Sequence, residues 1–209
     1  MSVKAVVFDC GGVVLRDSDL ERYRRWERRL GLETDTLKAR LYQGPIWSDA
    51  ELGKITEAAF WSATGEVLGL TEQEAQALGE DAWASWSVDP EVLELIKRLC
   101  QRYRVAMLSN ATDILEQRLR DNYAVNQYFD PIINSAVIGI AKPDPAIYRH
   151  LLDRLALEAG QVLFIDDKAE NIAAAAALGM HVIWYVSSAE LERQLTPYLG
   201  LDVSSSTTD

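Results

Sequence analysis

The sequence has few of the residues that build disulfide frameworks or histidine-based metal sites. Its 209 residues include two cysteines, Cys10 and Cys100, and two histidines, His150 and His181. So few cysteines argue against a disulfide scaffold and fit reduced thiols in the cytoplasm. The histidines lack the spacing of a metal-binding or catalytic pair, so we interpret both as structural.

Long apolar runs are also missing. The longest, IAAAAALGMHVIWYV, is interrupted by Gly179 and His181, and it falls short of the ~20 residues that a membrane-spanning helix needs. The first residues, MSVKAVVFDC, run directly into a strand-like pattern without the charged region and cleavage site of a signal peptide. We therefore expect a cytoplasmic protein with no membrane segment.

Positive charge is scarce. The chain has 21 Lys and Arg against 32 Asp and Glu, a net charge of −11, which argues against nucleic acid or an anionic membrane as a partner. Residues 1–42 are the exception, with nine Lys and Arg against seven Asp and Glu. We favour a solvated helix face there, with Glu21 paired to Arg25. A basic lid that draws an anionic substrate towards the site remains the alternative.

Four short apolar runs predict the strands of one sheet. They are Val3 to Asp9, Tyr103 to Ser109, Val162 to Asp166 and His181 to Val186. Helical patterns separate these runs, and strands that alternate with helices predict βαβ units and a parallel sheet. The predicted fold class is therefore α/β.

The helices between the strands carry clear start signals. Asp89-Pro90 and Asp144-Pro145 each place a capping acid before a proline at the first helical position. Thr71 with Glu74 matches a capping box. We expect these helices to cover the faces of the sheet.

Residues 17 to about 88 follow a different pattern, with amphipathic stretches and no convincing strand. We predict a helical cap over 17–88, inserted into a core formed by 1–16 and 89–203, with a flexible tail at 204–209. Five of the six tryptophans fall in this insert, namely Trp26, Trp47, Trp61, Trp83 and Trp86. We interpret them as packing residues rather than ligand-stacking residues, because a small helical unit needs a core of its own.

Polar residues end several of the predicted strands. Asp9 ends the first, Ser109-Asn110 the second and Asp166-Asp167 the third, while Lys142 lies in a loop. In an open parallel sheet, ligands collect beyond the carboxyl ends of the strands. Carboxylates that converge there repel one another unless a cation joins them, and oxygen ligands favour Mg²⁺. The sequence therefore predicts a magnesium site.

These residue types suit phosphoryl transfer. Asp9 is the candidate nucleophile, forming an acyl phosphate that water hydrolyses. Lys142 would hold a positive charge against the nucleophile and the phosphoryl oxygens, while Ser109 and nearby backbone amides donate hydrogen bonds to them. Positioning and charge neutralisation are most of what this reaction requires of a protein.

Four motifs resemble those of the haloacid dehalogenase-like superfamily. VVFDCGGVV resembles its motif I, MLSNAT its motif II, IAKPDPAIY its lysine motif III and VLFIDDKAENIAAAAALGM its acidic motif IV. Each motif alone is moderately specific, but four in the expected order between Val3 and Met180 are a strong signal. The stretch LGKITEAAFW resembles the cap of the branch that contains bacterial glucose-1-phosphatase and the N-terminal domain of soluble epoxide hydrolases.

The resemblance implies a Rossmann-like, doubly wound core and a site closed by a helical cap. It implies Asp9 as the nucleophile and Mg²⁺ held by Asp9, the backbone carbonyl of Gly11 and Asp166, with Asp167 as a water-mediated or more distant metal contact. The implied phosphate contacts are Ser109, Asn110, Lys142 and Gly12. The implied substrate is a small phosphorylated metabolite such as a sugar phosphate, and we expect a monomer or a homodimer.

The sequence departs from the family pattern at Gly11. Most phosphatases of the superfamily have an aspartate there that protonates the leaving group, and its loss can cost on the order of 10²–10⁴ in rate. We favour a phosphatase protonated by water or another group, with Asp17 and Asp19 as candidates, because the glucose-1-phosphatase branch also has glycine here. Two alternatives stay open: a catalytically weak binding or regulatory protein, and a metal-independent 2-haloacid dehalogenase, although such dehalogenases typically have tyrosine at this position.

Overall fold

A computed structural model describes residues 2–199, so the predicted tail at 204–209 and the last residues of the predicted core lie outside the described residues. The strands within this range are β1 Ala5–Phe8, β2 Leu15–Asp17, β3 Trp86–Val88, β4 Arg104–Ser109, β5 Ile132–Asn134, β6 Val162–Asp166 and β7 His181–Trp184. The helices are α1 Glu21–Leu30, α2 Leu37–Leu41, α3 Pro45–Glu51, α4 Glu57–Leu68, α5 Glu72–Ala84, α6 Pro90–Leu99, α7 Leu115–Asp121, α8 Ser135–Ile138, α9 Pro145–Leu155, α10 Ala169–Ala177 and α11 Ser188–Leu199. Two 3₁₀ turns cover Asn126–Tyr128 and Ala159–Gln161.

The main sheet has the strand order β5-β4-β1-β6-β7, and each neighbouring pair is parallel. This arrangement confirms the predicted doubly wound α/β fold, and the four predicted strands are all present. The edge strand β5 was not predicted because three residues are too few to give a readable pattern. The chain order changes direction at β1, which places the carboxyl ends of β1, β4 and β6 around a binding cleft.

Helices cover both faces of the sheet, as predicted. Val6 and Phe8 of β1 pack in one core cluster with residues of α6, α7 and α11, whereas Ala5 and Val7 pack in another with residues of α9 and α10. All four of these strand residues are buried. Because both faces are covered, the strand is a continuous apolar run rather than an alternating one.

The predicted capping interactions are present. The side chain of Asp89 accepts hydrogen bonds from the backbone of Glu91 and Val92 at the start of α6, and Asp144 accepts one from Ala146 at the start of α9. Thr71 and Glu74 form both bonds of a capping box at the start of α5. Each cap satisfies backbone N–H groups that the first helical turn leaves without partners.

Helices α1 to α5, residues 21–84, form a unit that we call the helical insert. Its apolar residues, including Leu37, Phe60 and Leu78, build a separate core cluster. The chain enters and leaves the insert through β2 and β3, which pair antiparallel with Asp17 opposite Trp86. The prediction of no strand between 17 and 88 is therefore wrong at both ends, because a three-residue ribbon is too short to show alternation.

The arginines of α1 pair with acids within the insert. Arg22 lies 2.6 Å from Asp81, and Arg24 lies 2.9 Å from Asp35. The predicted pairing of Glu21 with Arg25 is wrong, since Glu21 pairs instead with Arg28 at 2.5 Å, one further turn along the helix. Within residues 2–199, no helix combines the length and the apolar character needed to cross a bilayer.

Candidate active site

A cavity of about 310 Å³ opens at the carboxyl ends of β1 and β4 and is roofed by the helical insert. Seven of the eight predicted site residues line it, all except the fully buried Asp166: Asp9, Gly11, Gly12, Ser109, Asn110, Lys142 and Asp167. They come from segments far apart in sequence, and the parallel sheet brings them together because its strands end at one edge. The structure thus places these residues around one space.

Lys142 is the electrostatic centre of this group. Its Nζ donates hydrogen bonds to Asp9 Oδ1 at 2.7 Å, to Asp166 Oδ2 at 2.7 Å and to the carbonyl of Leu108 at 2.8 Å. An ammonium group has three donors, so these three acceptors use all of them. Burial acts to lower the pKa of Lys142, but the charges of Asp9 and Asp166 outweigh it and the pKa is raised.

Asp9 is a buried carboxylate with one strongly bonded oxygen. Oδ1 accepts from Lys142 and from the backbone N–H of Cys10 at 2.7 Å, whereas Oδ2 accepts no hydrogen bond from the described residues. Burial raises the pKa of Asp9 from 3.8 to about 7, helped by the charge of Asp166 and opposed by that of Lys142. The Cys10 thiol points into the apolar core, and burial raises its pKa, so it is not a reactive thiol.

Asp166 is held rigidly from several directions. Its Oδ1 accepts from the backbone N–H of Lys168 at 2.8 Å, and both oxygens lie 3.0 Å from the side-chain nitrogen of Asn171. The carboxylate is fully buried. Asn171 therefore fixes the orientation of an acid that faces Lys142.

Three carboxylates, those of Asp9, Asp166 and Asp167, offer oxygens that lie within 4.8 Å of one another. Oδ1 of Asp167 is buried and has no hydrogen-bond partner among the described residues, and burial together with the charge of Asp166 raises the pKa of Asp167. Converging carboxylates with a buried, unpaired oxygen fit a hard divalent cation such as Mg²⁺. The donor set is therefore suited to the predicted metal.

Gly12, predicted as a phosphate contact, lines the cavity beside Asp167. Its backbone N–H donates to the carbonyl of Leu15 at 2.8 Å, so this amide is already used. A β-carbon on Gly12 would lie 2.3 Å from Asp167 Oδ2, and its φ of +89° also favours glycine. The lack of a β-carbon at Gly12 thus makes room for Asp167, while its predicted phosphate contact stays a prediction.

Asn110, also predicted as a phosphate contact, makes two hydrogen bonds within the protein. Its side chain donates to the carbonyl of Lys142 at 2.9 Å and accepts from the Lys142 backbone N–H at 2.8 Å. These two bonds join the loop after β4 to the loop that carries the lysine. Asn110 therefore positions Lys142, while Ser109, buried at the end of β4, lines the cavity beside Asp9.

The two sequence-based candidates for the missing acid lie in different places. Asp17 lines the cavity and pairs with Lys38, whereas Asp19 pairs with Arg22 at 3.0 Å and does not line it. A third acid, Glu51 at the end of α3, was not singled out from the sequence. It lines the cavity close to Asn110, Lys168 and Trp47, and burial raises its pKa.

The insert and strand β3 contribute an aromatic wall to the cavity. Six rings line the space: Tyr42, Trp47, Phe60, Trp61, Trp83 and Trp86. Four of the five tryptophans interpreted as packing residues line the cavity, and each of the four also packs in or against a core cluster. The arginines of α1 are absent from the described lining, so the basic-lid alternative finds no support there.

Glu57, the first residue of α4, organises part of this wall. Its Oε1 accepts from the indole nitrogens of Trp61 at 3.2 Å and Trp83 at 2.6 Å, and its Oε2 accepts from the hydroxyl of Thr112. The backbone N–H of Glu57 donates to Asp113 at 2.8 Å. From the sequence alone, an acid at a helix start is interpreted as a partner of the helix dipole. The role of Glu57 in the cavity wall was therefore not predicted.

Comparison with known proteins agrees with this geometry. A family model described as haloacid dehalogenase-like hydrolase matches residues 3–179. A sesquiterpene phosphatase of Aspergillus oryzae is 29% identical over 85% of this chain and 87% of that protein. A D-ribitol-5-phosphate phosphatase of Bacteroides thetaiotaomicron is 28% identical over 95% of this chain and 99% of that protein.

Two further similarities bear on the expected branch and fold. The bifunctional epoxide hydrolase 2 of Mus musculus is 26% identical over 96% of this chain, which corresponds to 39% of that longer protein. A wild-type enzyme of the same fold from Bacteroides thetaiotaomicron, solved with magnesium and inorganic phosphate, has a TM-score of 0.70 at 24% identity, covering 87% of this chain and 93% of that one. At this identity the structural likeness establishes the fold.

Proposed function

The chain belongs to the haloacid dehalogenase-like hydrolases, and from this premise we propose that it is a magnesium-dependent phosphatase of a small phosphate monoester. The reaction would pass through an aspartyl-phosphate on Asp9. The observation that carries the proposal is the convergence of the Asp9, Asp166 and Asp167 carboxylates on one point beside the buried ammonium of Lys142. Relatives named as phosphatases support the same reaction class.

In this proposal, Asp9, Asp166 and the backbone carbonyl of Gly11 hold the cation, with Asp167 contacting it through water. When bound, Mg²⁺ would neutralise the carboxylates and polarise the phosphoryl oxygens. Asp167 Oδ1, which is buried without a partner among the described residues, supports this assignment. Lys142 then keeps its contact with Asp9 and holds the nucleophile in place.

The covalent steps balance as two displacements at phosphorus. An oxygen of Asp9 forms a bond to phosphorus while the ester P–O bond breaks, and the alcohol leaves with a proton. Water then attacks the acyl phosphate, releasing inorganic phosphate and restoring the carboxylate. Ser109 lines the cavity beside Asp9 and is placed to donate a hydrogen bond to a phosphoryl oxygen.

For the leaving-group proton we propose Glu51. Its carboxyl lines the cavity, is half-buried, and has a pKa raised by burial, which keeps a larger fraction protonated near neutral pH. Asp17 is less suited because it is paired with Lys38. Glu51, a residue of the insert, would thus replace the general acid that is missing at Gly11 of the core.

The insert would then act as a cap. We propose the division into a core of 1–16 and 89–203 and a helical cap over 17–88, supported by the separate apolar cluster of the insert. A cytoplasmic location is supported by the free thiols of Cys10 and Cys100. A monomer or a homodimer remains our expectation for the assembly.

The test is hydrolysis of p-nitrophenyl phosphate with Mg²⁺ or EDTA, by the wild-type protein and by Asp9→Asn. The activated leaving group needs little protonation, so this ester tests the nucleophile and the metal apart from the acid. We expect turnover that requires Mg²⁺ and disappears in Asp9→Asn. Equal rates for the two proteins would favour the binding or regulatory alternative, and metal-free halide release from 2-haloacids would favour the dehalogenase.

A further inference from the structure

The cavity combines two kinds of lining. The core supplies carboxylates, an ammonium and a hydroxyl around Asp9. The insert and β3 supply the six rings of the aromatic wall, and the insert also supplies Lys38, Glu51 and Glu57. With a volume of about 310 Å³, it lies at the small end of the range of ~300–1,000 Å³ typical of ligand pockets. A monoester bound with its phosphate at Asp9 would therefore place its alcohol part among the rings.

Three polar groups of the wall, those of Tyr42, Trp61 and Trp83, are already bonded within the protein. The indole N–H groups of Trp61 and Trp83 donate to Glu57, and the hydroxyl of Tyr42 lies 3.5 Å from that of Tyr23. These rings therefore present mainly carbon to the cavity. A polyol would lose the hydrogen bonds its hydroxyls make in water, and buried hydroxyls without partners are costly.

The rings are also held in place before any ligand binds. Tyr42, Trp47, Phe60 and Trp61 form a continuous series of edge-to-face contacts with centroid separations of 5.0, 5.6 and 4.8 Å. Contacts of this kind stabilise aromatic pairs beyond their buried area. A preformed apolar wall lowers the entropic cost of binding an apolar group.

A cationic alcohol such as choline is a poorer match, although aromatic cages do bind quaternary ammonium groups. The wall already holds a cation, because Nζ of Lys38 lies 4.4 Å from the centroid of the Trp86 ring. Lys38 also pairs with Asp17, and Glu57 accepts three hydrogen bonds with Arg118 4.0 Å away. Asp17 and Glu57 thus already have cationic partners, and a second cation beside Trp86 would be repelled by Lys38.

We infer that this site selects phosphate monoesters of compact, uncharged, apolar alcohols over those of sugars, polyols and choline. The inference rests on the proposed phosphatase activity and names the substrate class of that same site. It replaces the sugar phosphate expected from the sequence, because the residues that determine the class are the rings of the insert.

The decisive comparison is between esters of equal leaving-group reactivity. Cyclohexylmethyl phosphate and ribitol 5-phosphate are both esters of primary alcohols, and phosphocholine adds the cationic case. We expect kcat/KM with Mg²⁺ to be at least about tenfold higher for the cyclohexylmethyl ester, since one methylene in an apolar pocket already contributes roughly 10–200-fold. A preference for ribitol 5-phosphate or phosphocholine would overturn the inference.

Trp47→Ala tests the wall directly, with Trp26→Phe as the matched control. Trp26 is a buried tryptophan of the same insert that lies outside the cavity lining. Trp47→Ala should lower kcat/KM for the cyclohexylmethyl ester about tenfold or more while leaving inhibition by inorganic phosphate unchanged. An equal loss for ribitol 5-phosphate would contradict the assigned role of the ring.

A binding measurement separates failure of this inference from failure of the proposed function. The phosphatase proposal fails if the wild-type protein hydrolyses every ester no faster than Asp9→Asn does. Tryptophan fluorescence can then compare a non-hydrolysable cyclohexylmethyl phosphonate with ribitol 5-phosphate, because four tryptophans line the cavity. Tighter binding of the phosphonate would still support the inference, and equal or weaker binding would overturn it.

Discussion

The indole of Trp86 stands over Gly11, and a β-carbon added at residue 11 would lie 3.6 Å from its ring. That distance is an ordinary contact, so alanine fits at this position. We expect a longer side chain at residue 11 to compete with this indole for space. Trp86 of strand β3 thus lies beside the position at which the sequence lacks the expected general acid.

This relationship changes the expected outcome of restoring that acid. We expect Gly11→Asp to lower kcat about tenfold or more on both alkyl and aryl esters, because the carboxyl crowds Trp86 and adds a charge beside the acidic cluster. Gly11→Ala is the matched control, and its kcat should stay close to that of the wild-type protein. Adding Trp86→Ala to Gly11→Asp should recover part of the activity. A faster Gly11→Asp enzyme on alkyl esters would show that the space is open.

Glu51→Gln tests the proton donor. We expect kcat for cyclohexylmethyl phosphate to fall by on the order of 10²–10⁴, with little change for p-nitrophenyl phosphate, because only the alkoxide needs protonation. Asp49→Asn is the control, since Asp49 lies on the same helix but pairs with Lys54 at 2.9 Å outside the cavity lining. Equal losses on the two esters would assign Glu51 a structural role instead.

Lys142→Met tests the charge balance at the centre of the site. The Lys142 side chain is 1% exposed, and removing one partner of a buried ion pair costs roughly 3–5 kcal/mol. We expect the free energy of unfolding, measured in urea with EDTA, to fall by an amount of this order. The loss should be smaller with Mg²⁺, because the bound cation offsets part of the carboxylate charge.

Lys97→Met provides the comparison for that experiment. Lys97 pairs with Glu94 at 2.6 Å on the surface, with 40% and 67% of the two side chains exposed, and such pairs contribute about 0–1 kcal/mol. If Lys142→Met is as stable as Lys97→Met in EDTA, the folded protein does not need the Lys142 ammonium to offset the charges of the three carboxylates.

The raised pKa of Asp9 predicts a pH-dependent stability of the metal-free protein. Between its ordinary value of 3.8 and the folded value of about 7, the folded carboxyl holds a proton that the unfolded chain has released. Stability from this group is therefore fully present at low pH and is lost as the pH rises through about 7. Mg²⁺ binding near pH 6 should release a proton, which calorimetry in buffers of different ionisation enthalpy measures. Asp9→Asn should abolish this proton release. A proton release that persists in Asp9→Asn would come from another group.

The sequence predicted the sheet and its acidic edge well for a physical reason. Buried parallel strands appear as continuous apolar runs, and the polar residue that ends each run lies at the carboxyl edge, where the fold gathers ligands. Asp9, Ser109 and Asp166 were therefore found together. Strands β2, β3 and β5 were missed because three residues carry too little periodicity.

The roles of particular side chains within the site were harder to predict. Asn110 and Gly12 sit in the family motifs, yet their contacts are internal: one braces Lys142 and the other makes room for Asp167. Such roles depend on distances that spacing along the chain does not encode. The same limit applies to Glu51 and Glu57, whose importance follows from how the insert docks on the core.

Two parts of the cavity wall are held in place differently, and Glu57 holds one of them. Trp61 and Trp83 are tied through it to Thr112, next to the strand that carries Ser109, so any change in their placement would also disturb the phosphate end. Trp47 and Glu51 lie on the short helix α3, which begins after Gly44 without a side-chain cap. Over evolutionary time, substitutions at Trp47 that spare Glu51 would therefore retune which alcohol is accepted while the chemical step stays intact.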